Sequence, residues 1–82
     1  MRLLNIQEIL KNRKIYYDYT EEDDLASIDF TWRGLSYHIW EFRDEEGEGA
    51  ETNVFHTGST RDVEGDYEAI ICEELNRWPM ME

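Results

Sequence analysis

Two histidines, one cysteine and twenty carboxylates are what this chain offers for chemistry. Asp29 and His38 come first. Alternating apolar runs on either side of Arg33-Gly34 set them opposite each other across two strands. There Asp29 could orient His38 as an acid–base dyad. No nucleophile falls beside them, however, and the same pair reads as a solvent-side contact on a sheet, worth up to about 1 kcal/mol. His38, His56 and Cys72 could meet around a transition metal, but no HxxxH or CxxC spacing directs them there. A single cysteine makes neither an internal disulfide nor a multi-cysteine metal site. Cys72, next to Ile71, reads more simply as a small core or boundary residue.

Two loops invite a ligand. Asp44-Glu45-Glu46-Gly47-Glu48-Gly49 has acids at positions 1, 3 and 5 and glycine at 6, in the manner of a calcium loop. An EF-hand requires a bidentate Glu at position 12; that position is Phe55, and the flanks read as strand. At most a weak divalent-cation contact remains. Gly58-Ser59-Thr60-Arg61 could grip a phosphate ahead of a helix, but it lacks the Gly-Lys-Ser/Thr ending of a P-loop. Ser59 has no G-x-S-x-G elbow around it. The expectation is a protein that is not an enzyme, with no catalytic residues, no cofactor and no metal.

Charge is the strongest signal. Twenty acids against eight bases give a net −12 over 82 residues, beyond the ~2–8 that solubility asks of a small domain. The excess is uneven: residues 1–17 carry +3 and residues 18–82 carry −15. Such a chain repels nucleic acid and anionic membrane and attracts basic surfaces. The acids concentrate at Glu21, Glu22, Asp23 and Asp24, and again at Asp44, Glu45, Glu46, Glu48 and Glu51. Either run could be simply a solvated loop. Three Trp, five Tyr and three Phe supply the apolar surface that disordered acidic tails lack. With no apolar run near ~20 residues and no signal-peptide pattern, a cytoplasmic location is expected.

These residues need a frame to position them. Asn5-Ile6-Gln7-Glu8 reads as a capping box, with Leu4 and Ile9 as its staple, and opens a helix over 5–13. Lys14 to Thr20 is β-prone, and the acidic run 21–24 ends it. Ile28, Phe30 and Trp32, then Leu35, Tyr37 and Ile39, alternate with polar residues around Arg33-Gly34. A two-residue turn there pairs Trp32 with Leu35, Phe30 with Tyr37 and Ile28 with Ile39, all on one face. Asp44 to Glu51 reads as a loop, Thr52 to Thr57 as a further strand, and Gly58 to Gly65 as irregular. Asp66 caps a second helix in which Tyr67, Ile70, Ile71, Leu75 and Trp78 form one stripe, with Glu68 and Glu73 opposite, ending at Pro79.

Residues 1–82 therefore form a single acidic α+β domain. Its expected shape is a small two-layer fold, a three- or four-stranded antiparallel sheet with an N-terminal and a C-terminal helix on one face. Trp40 and Phe42 then project from the other face with His38, and Tyr16 could join them. A bare sheet face with aromatic anchors among carboxylates suggests protein binding. Two readings follow. In one, the chain is an inhibitor that presents carboxylates to a basic groove as a nucleic-acid mimic, duplex DNA carrying about one charge per 1.7 Å of axis. In the other it is a small cytosolic regulatory or interaction domain that binds through Trp40 and Phe42. Expected partners are basic protein surfaces, with no direct nucleic acid and no membrane; a homodimer through the bare face is also open. In size, acidity and helix–sheet–helix layout the chain resembles small phage-borne inhibitors such as nucleic-acid mimics and anti-CRISPR proteins. The likeness is one of kind, carried by the acids at 21–24, 44–51 and 68–74. It implies a nuclease as target, at its PAM- or guide-binding channel.

Overall fold

The computed structural model describes residues 1–56 and 58–79. Helix α1 (Leu4–Asn12) leads into strands β1 (Tyr17–Glu22), β2 (Leu25–Trp32), β3 (Leu35–Asp44), β4 (Gly47–His56) and β5 (Ser59–Glu64), and helix α2 (Tyr67–Arg77) follows. The five strands form one antiparallel sheet in the order β1-β2-β3-β4-β5, so each strand pairs with its neighbour in sequence. The domain is α+β as expected, with five strands rather than three or four.

The β2–β3 hairpin has the register that its alternation demands: Trp32 opposite Leu35, Phe30 opposite Tyr37, Asp29 opposite His38 and Ile28 opposite Ile39. Arg33 at φ 55° and Gly34 at φ 80° make the two-residue turn, with positive φ at both centres as a twisted hairpin favours. Glycine takes this conformation without strain; Arg33 takes it at a cost, and lays its guanidinium 4.7 Å from the Trp32 ring centre. Asp23 and Asp24, at φ 55° and 64°, turn β1 into β2 in the same way.

Two segments expected to be irregular are strands. The Asp44–Glu51 loop is a tight hairpin: β3 runs to Asp44 and β4 begins at Gly47. The Asp44 carboxylate accepts the Glu46 N–H at 2.9 Å to close the turn, which uses the first of the supposed calcium ligands. Residues 59–64 form edge strand β5, where Val63 alone is buried, so no apolar alternation marked it. The further strand expected over 52–57 is the second half of β4; Thr57 lies outside the described residues.

The core lies between the sheet and the two helices. Ile6 and Leu10 of α1 and Ile71 and Leu75 of α2 pack on Ala26, Ile28, Phe30, Trp32, Tyr37, Ile39, Ala50 and Val54. Trp78 continues the α2 stripe and stacks on Trp32, ring centres 4.4 Å apart. Ile70 does not join the stripe and is exposed. The helices run in the same direction, and opposite charges from the neighbouring element meet their ends. At the start of α1 the Asn5 N–H donates to the Glu68 carboxylate of α2 at 2.8 Å. Past its end, Arg13 donates to the carbonyls of Asn76 and Pro79, at 3.4 and 3.2 Å. This replaces the expected capping box. The N-cap is Leu3, with no side-chain cap bond, and the presumed staple residue Leu4 is exposed. Asp66 is the N-cap of α2 but likewise makes no side-chain cap bond. Anions at helix N-termini and cations at C-termini complement both macrodipoles.

Candidate functional site

The sheet has one face under the helices and one open, and strand parity decides which side chains go where. Pairings across the sheet align Thr20, Ser27, Trp40, Glu51 and Asp62 in one row. Asp18, Asp29 and His38 lie in the next, and Glu22, Leu25 in β2, then Phe42, Gly49 and Glu64, in a third. All belong to the face opposite Ile28, Ile39 and Ala50, which are fully buried. With Asp44 at the strand end, the open face carries the carboxylates of Asp18, Glu22, Asp29, Asp44, Glu51, Asp62 and Glu64. Among the described residues, none of its regularly paired strand positions is a lysine or arginine.

Trp40 sits near the middle of this face, 41% exposed. Its indole Nε1–H donates to Asp29 Oδ1 at 3.1 Å, and its ring lies 4.3 Å from the His38 imidazole. Asp29 and His38 are cross-strand neighbours as expected, but the two do not pair as an acid–base dyad. Asp29 accepts from Trp40, and the nearest carboxylate to His38 Nε2 is Glu51, at 3.6 Å. His38 Nε2 is buried without a hydrogen bond. Phe42 is half-buried and lies across Gly49. A Cβ built on Gly49 would stand 2.7 Å from the Phe42 ring and 2.6 Å from the Val63 carbonyl, so only glycine lets the ring lie flat there. Tyr16, almost fully exposed, precedes β1 and does not join the cluster.

The remaining acids divide among three places. The up-and-down order brings the β1–β2 and β3–β4 turns to the same end of the sheet, so Glu22, Asp23, Asp24, Glu45 and Glu46 gather at that end. Glu21 is held on the helix side by the Tyr19 hydroxyl at 2.6 Å and the Met1 ammonium at 3.7 Å. The Tyr19 bond, the ammonium and Arg2 keep its carboxyl below the usual range against a smaller effect of burial. Glu48 pairs with Arg43 at 3.0 Å. Glu68 and Glu73 lie on α2, across the molecule from the open face; Glu68 caps α1 and Glu73 stands 4.0 Å from Arg77. The opposite end of the molecule carries Lys11, Arg13, Lys14, Arg33 and Arg77.

One carboxylate escaped the sequence reading. Glu41 continues the inward parity of Tyr37 and Ile39, and its side chain is 1% exposed. It accepts a bidentate pair from Arg2, Nε to Oε1 at 2.7 Å and Nη2 to Oε2 at 3.0 Å. The Ala26 N–H at 2.8 Å and the Tyr67 hydroxyl complete its shell. Burial pushes the Glu41 carboxyl up, and the donors from Arg2, Tyr67 and Ala26 more than reverse it, leaving it below its ordinary value. Burial and the Glu41 bond push the Tyr67 phenol up to about 12. A groove of about 530 Å³ runs beside Arg2, Glu41 and Tyr67, and these three groups satisfy one another. The signal was available: the alternation 37, 39, 41 places a carboxylate at a core position, and a buried carboxylate needs a cation.

The supposed metal residues are dispersed. His38 is on the open face, His56 ends β4, and Cys72 lies on α2; among the described residues no group of three potential ligands forms. Burial, with Glu68 and Asp66 nearby, pushes the Cys72 thiol up to about 11. Ser59 opens an edge strand, and no helix follows it directly. Among the described residues no helix is long and apolar enough to cross a membrane. Comparison with protein families, curated proteins and solved structures finds no match for this chain.

Proposed function

We propose that this domain is a non-enzymatic binding module that engages a basic protein surface through its open sheet face and the acidic hairpin end, in the manner of a nucleic-acid mimic. The supporting observation is the open face itself: seven carboxylates around Trp40 and Phe42, with no lysine or arginine among its regularly paired positions. A surface of one sign attracts a groove of the other and accelerates encounter. A Lys- and Arg-lined groove built for phosphates accepts carboxylates on the same charge grounds. Self-association through this face would bring the carboxylates of two copies together, so a cationic partner is the better occupant. The polarity of the chain adds an orientation: at the acidic hairpin end Arg2 and Arg43 are paired with Glu41 and Glu48, while Lys11, Arg13, Lys14, Arg33 and Arg77 lie at the other end, so the acidic end leads toward a basic target.

The test is affinity capture at low and high salt, followed by competition with duplex DNA. The expected outcome is a partner that is itself a nucleic-acid-binding protein, released by DNA and by rising salt. Retention indifferent to both would overturn the mimic reading. The alternative, a regulatory domain anchored by its aromatics, is favoured by the 41% exposure of Trp40. It predicts that Trp40→Ala abolishes capture, whereas mimicry predicts a modest weakening.

A further inference from the structure

Resting on that reading, we infer that the open face seats an arginine side chain of the partner, stacked on the Trp40 indole and paired with Glu51. The argument begins with what Trp40 has left to offer. Its one polar group, the Nε1–H, is already donated to Asp29 at 3.1 Å, so it has no hydrogen bond to give. One side of the ring is turned to the His38 imidazole at 4.3 Å. What remains, in a side chain 41% exposed, is π surface. The Asp29 bond and the His38 contact fix its orientation, so little rotamer entropy is lost when a ligand stacks there.

The surroundings choose the ligand. Glu51 is directly across the strand pair from Trp40 and is 41% exposed at its side chain; Ser27 flanks it on the other side, and Asp62 lies beyond Glu51. A π surface beside carboxylates favours a cation, and tryptophan is the strongest cation–π partner. Arginine fits better than lysine because its planar guanidinium stacks flat while its edge donates two parallel bonds to a carboxylate. A nucleobase would also stack on an indole, but its phosphates would meet Asp29, Glu51, Asp18 and Asp62. Tryptophan and arginine are both enriched among interface hot spots.

The full chain is titrated with deca-arginine and with deca-lysine by calorimetry near 0.15 M salt, and with a ten-nucleotide oligothymidylate. The expected result is about five- to tenfold tighter binding of deca-arginine, a shift of the Trp40 indole N–H resonance with that peptide, and no binding of the oligonucleotide. Trp40→Ala should bring the two peptide affinities together while salt-dependent binding persists; Trp40→Phe should keep part of the preference. Equal affinities in the native chain would overturn the arginine assignment and leave the broader reading standing. Failure of both peptides to bind would overturn both. Oligonucleotide binding that depends on Trp40 would replace the assignment with base stacking. Should Trp40→Ala fail to fold, the resonance in the native chain decides: no shift with deca-arginine overturns the assignment.

Discussion

Glu41→Ala would expose the cost of the buried carboxylate. The substitution leaves the Ala26 N–H, on a residue with no exposed surface, without its acceptor; an unpaired buried donor costs about 1–3 kcal/mol. The Tyr67 hydroxyl loses its partner, adding about 1 kcal/mol. Arg2 is one-third exposed and can turn to water, so its share is discounted to about 1 kcal/mol or less. The total is about 2–5 kcal/mol. A chain of this size holds about 4–12 kcal/mol in all, so Glu41→Ala should lower Tm by about 8–40 °C. Glu41→Gln keeps one acceptor for Ala26 and should cost about half as much. Denaturant titrations followed by circular dichroism measure both. The pH dependence has a definite sign. The folded carboxyl lies below its unfolded value, so its contribution is complete above the unfolded pKa and is lost as pH falls through the folded one. The native chain should weaken on acidification through that window, and Glu41→Gln should weaken less steeply. A loss below about 1 kcal/mol for Glu41→Ala would refute the reasoning, because the four donors would then have found other acceptors.

Two further substitutions probe the sheet. Gly49→Ala drives a methyl into the Val63 carbonyl and the Phe42 ring; since the carbonyl cannot rotate away, destabilisation of about 1–3 kcal/mol is expected by urea titration, and a neutral result would mean the β4–β5 pairing is loose there. Asp24→Gly relieves a left-handed residue at φ 64° in the β1–β2 turn and should stabilise by about 0.5–1 kcal/mol in thermal melts; a loss instead would show that the Asp24 carboxylate supports the turn.

The β2–β3 hairpin was legible because six apolar residues alternate without a fault around Arg33-Gly34, and any one-residue slip would have mixed the faces. Strand β5 was not, because an edge strand buries only Val63 and leaves no period to read. The 44–51 segment looked like a loop because glycines and acids dominate it, yet Gly49 is there for the aromatic ring above it and the acids for the solvent on either side. The capping of α1 could not be read locally, since Glu68 lies 63 residues from Asn5 in the chain. On the open face, Trp40 and Phe42 followed from parity alone. The Asp29–His38 juxtaposition also followed, but its chemistry did not, because register fixes neighbours and leaves open which atom each side chain prefers. Glu41 was missed for the opposite reason: parity pointed inward, and a charge at an inward position was not followed to its partner.

The meander has a consequence for how the molecule assembles. Every strand pairs with the one before it, so the sheet can grow by successive zipping of short hairpins, each closing a small loop at little entropic cost. The first helix has ties of both ranges: the Tyr17 hydroxyl donates to Gln7 Oε1 ten residues away, while Arg2–Glu41 spans 39 residues and Asn5–Glu68 spans 63. It can meet the first strand early, but its burial is complete only once the third strand supplies Glu41 and the second helix supplies Glu68, with Arg2 as the latch that closes it.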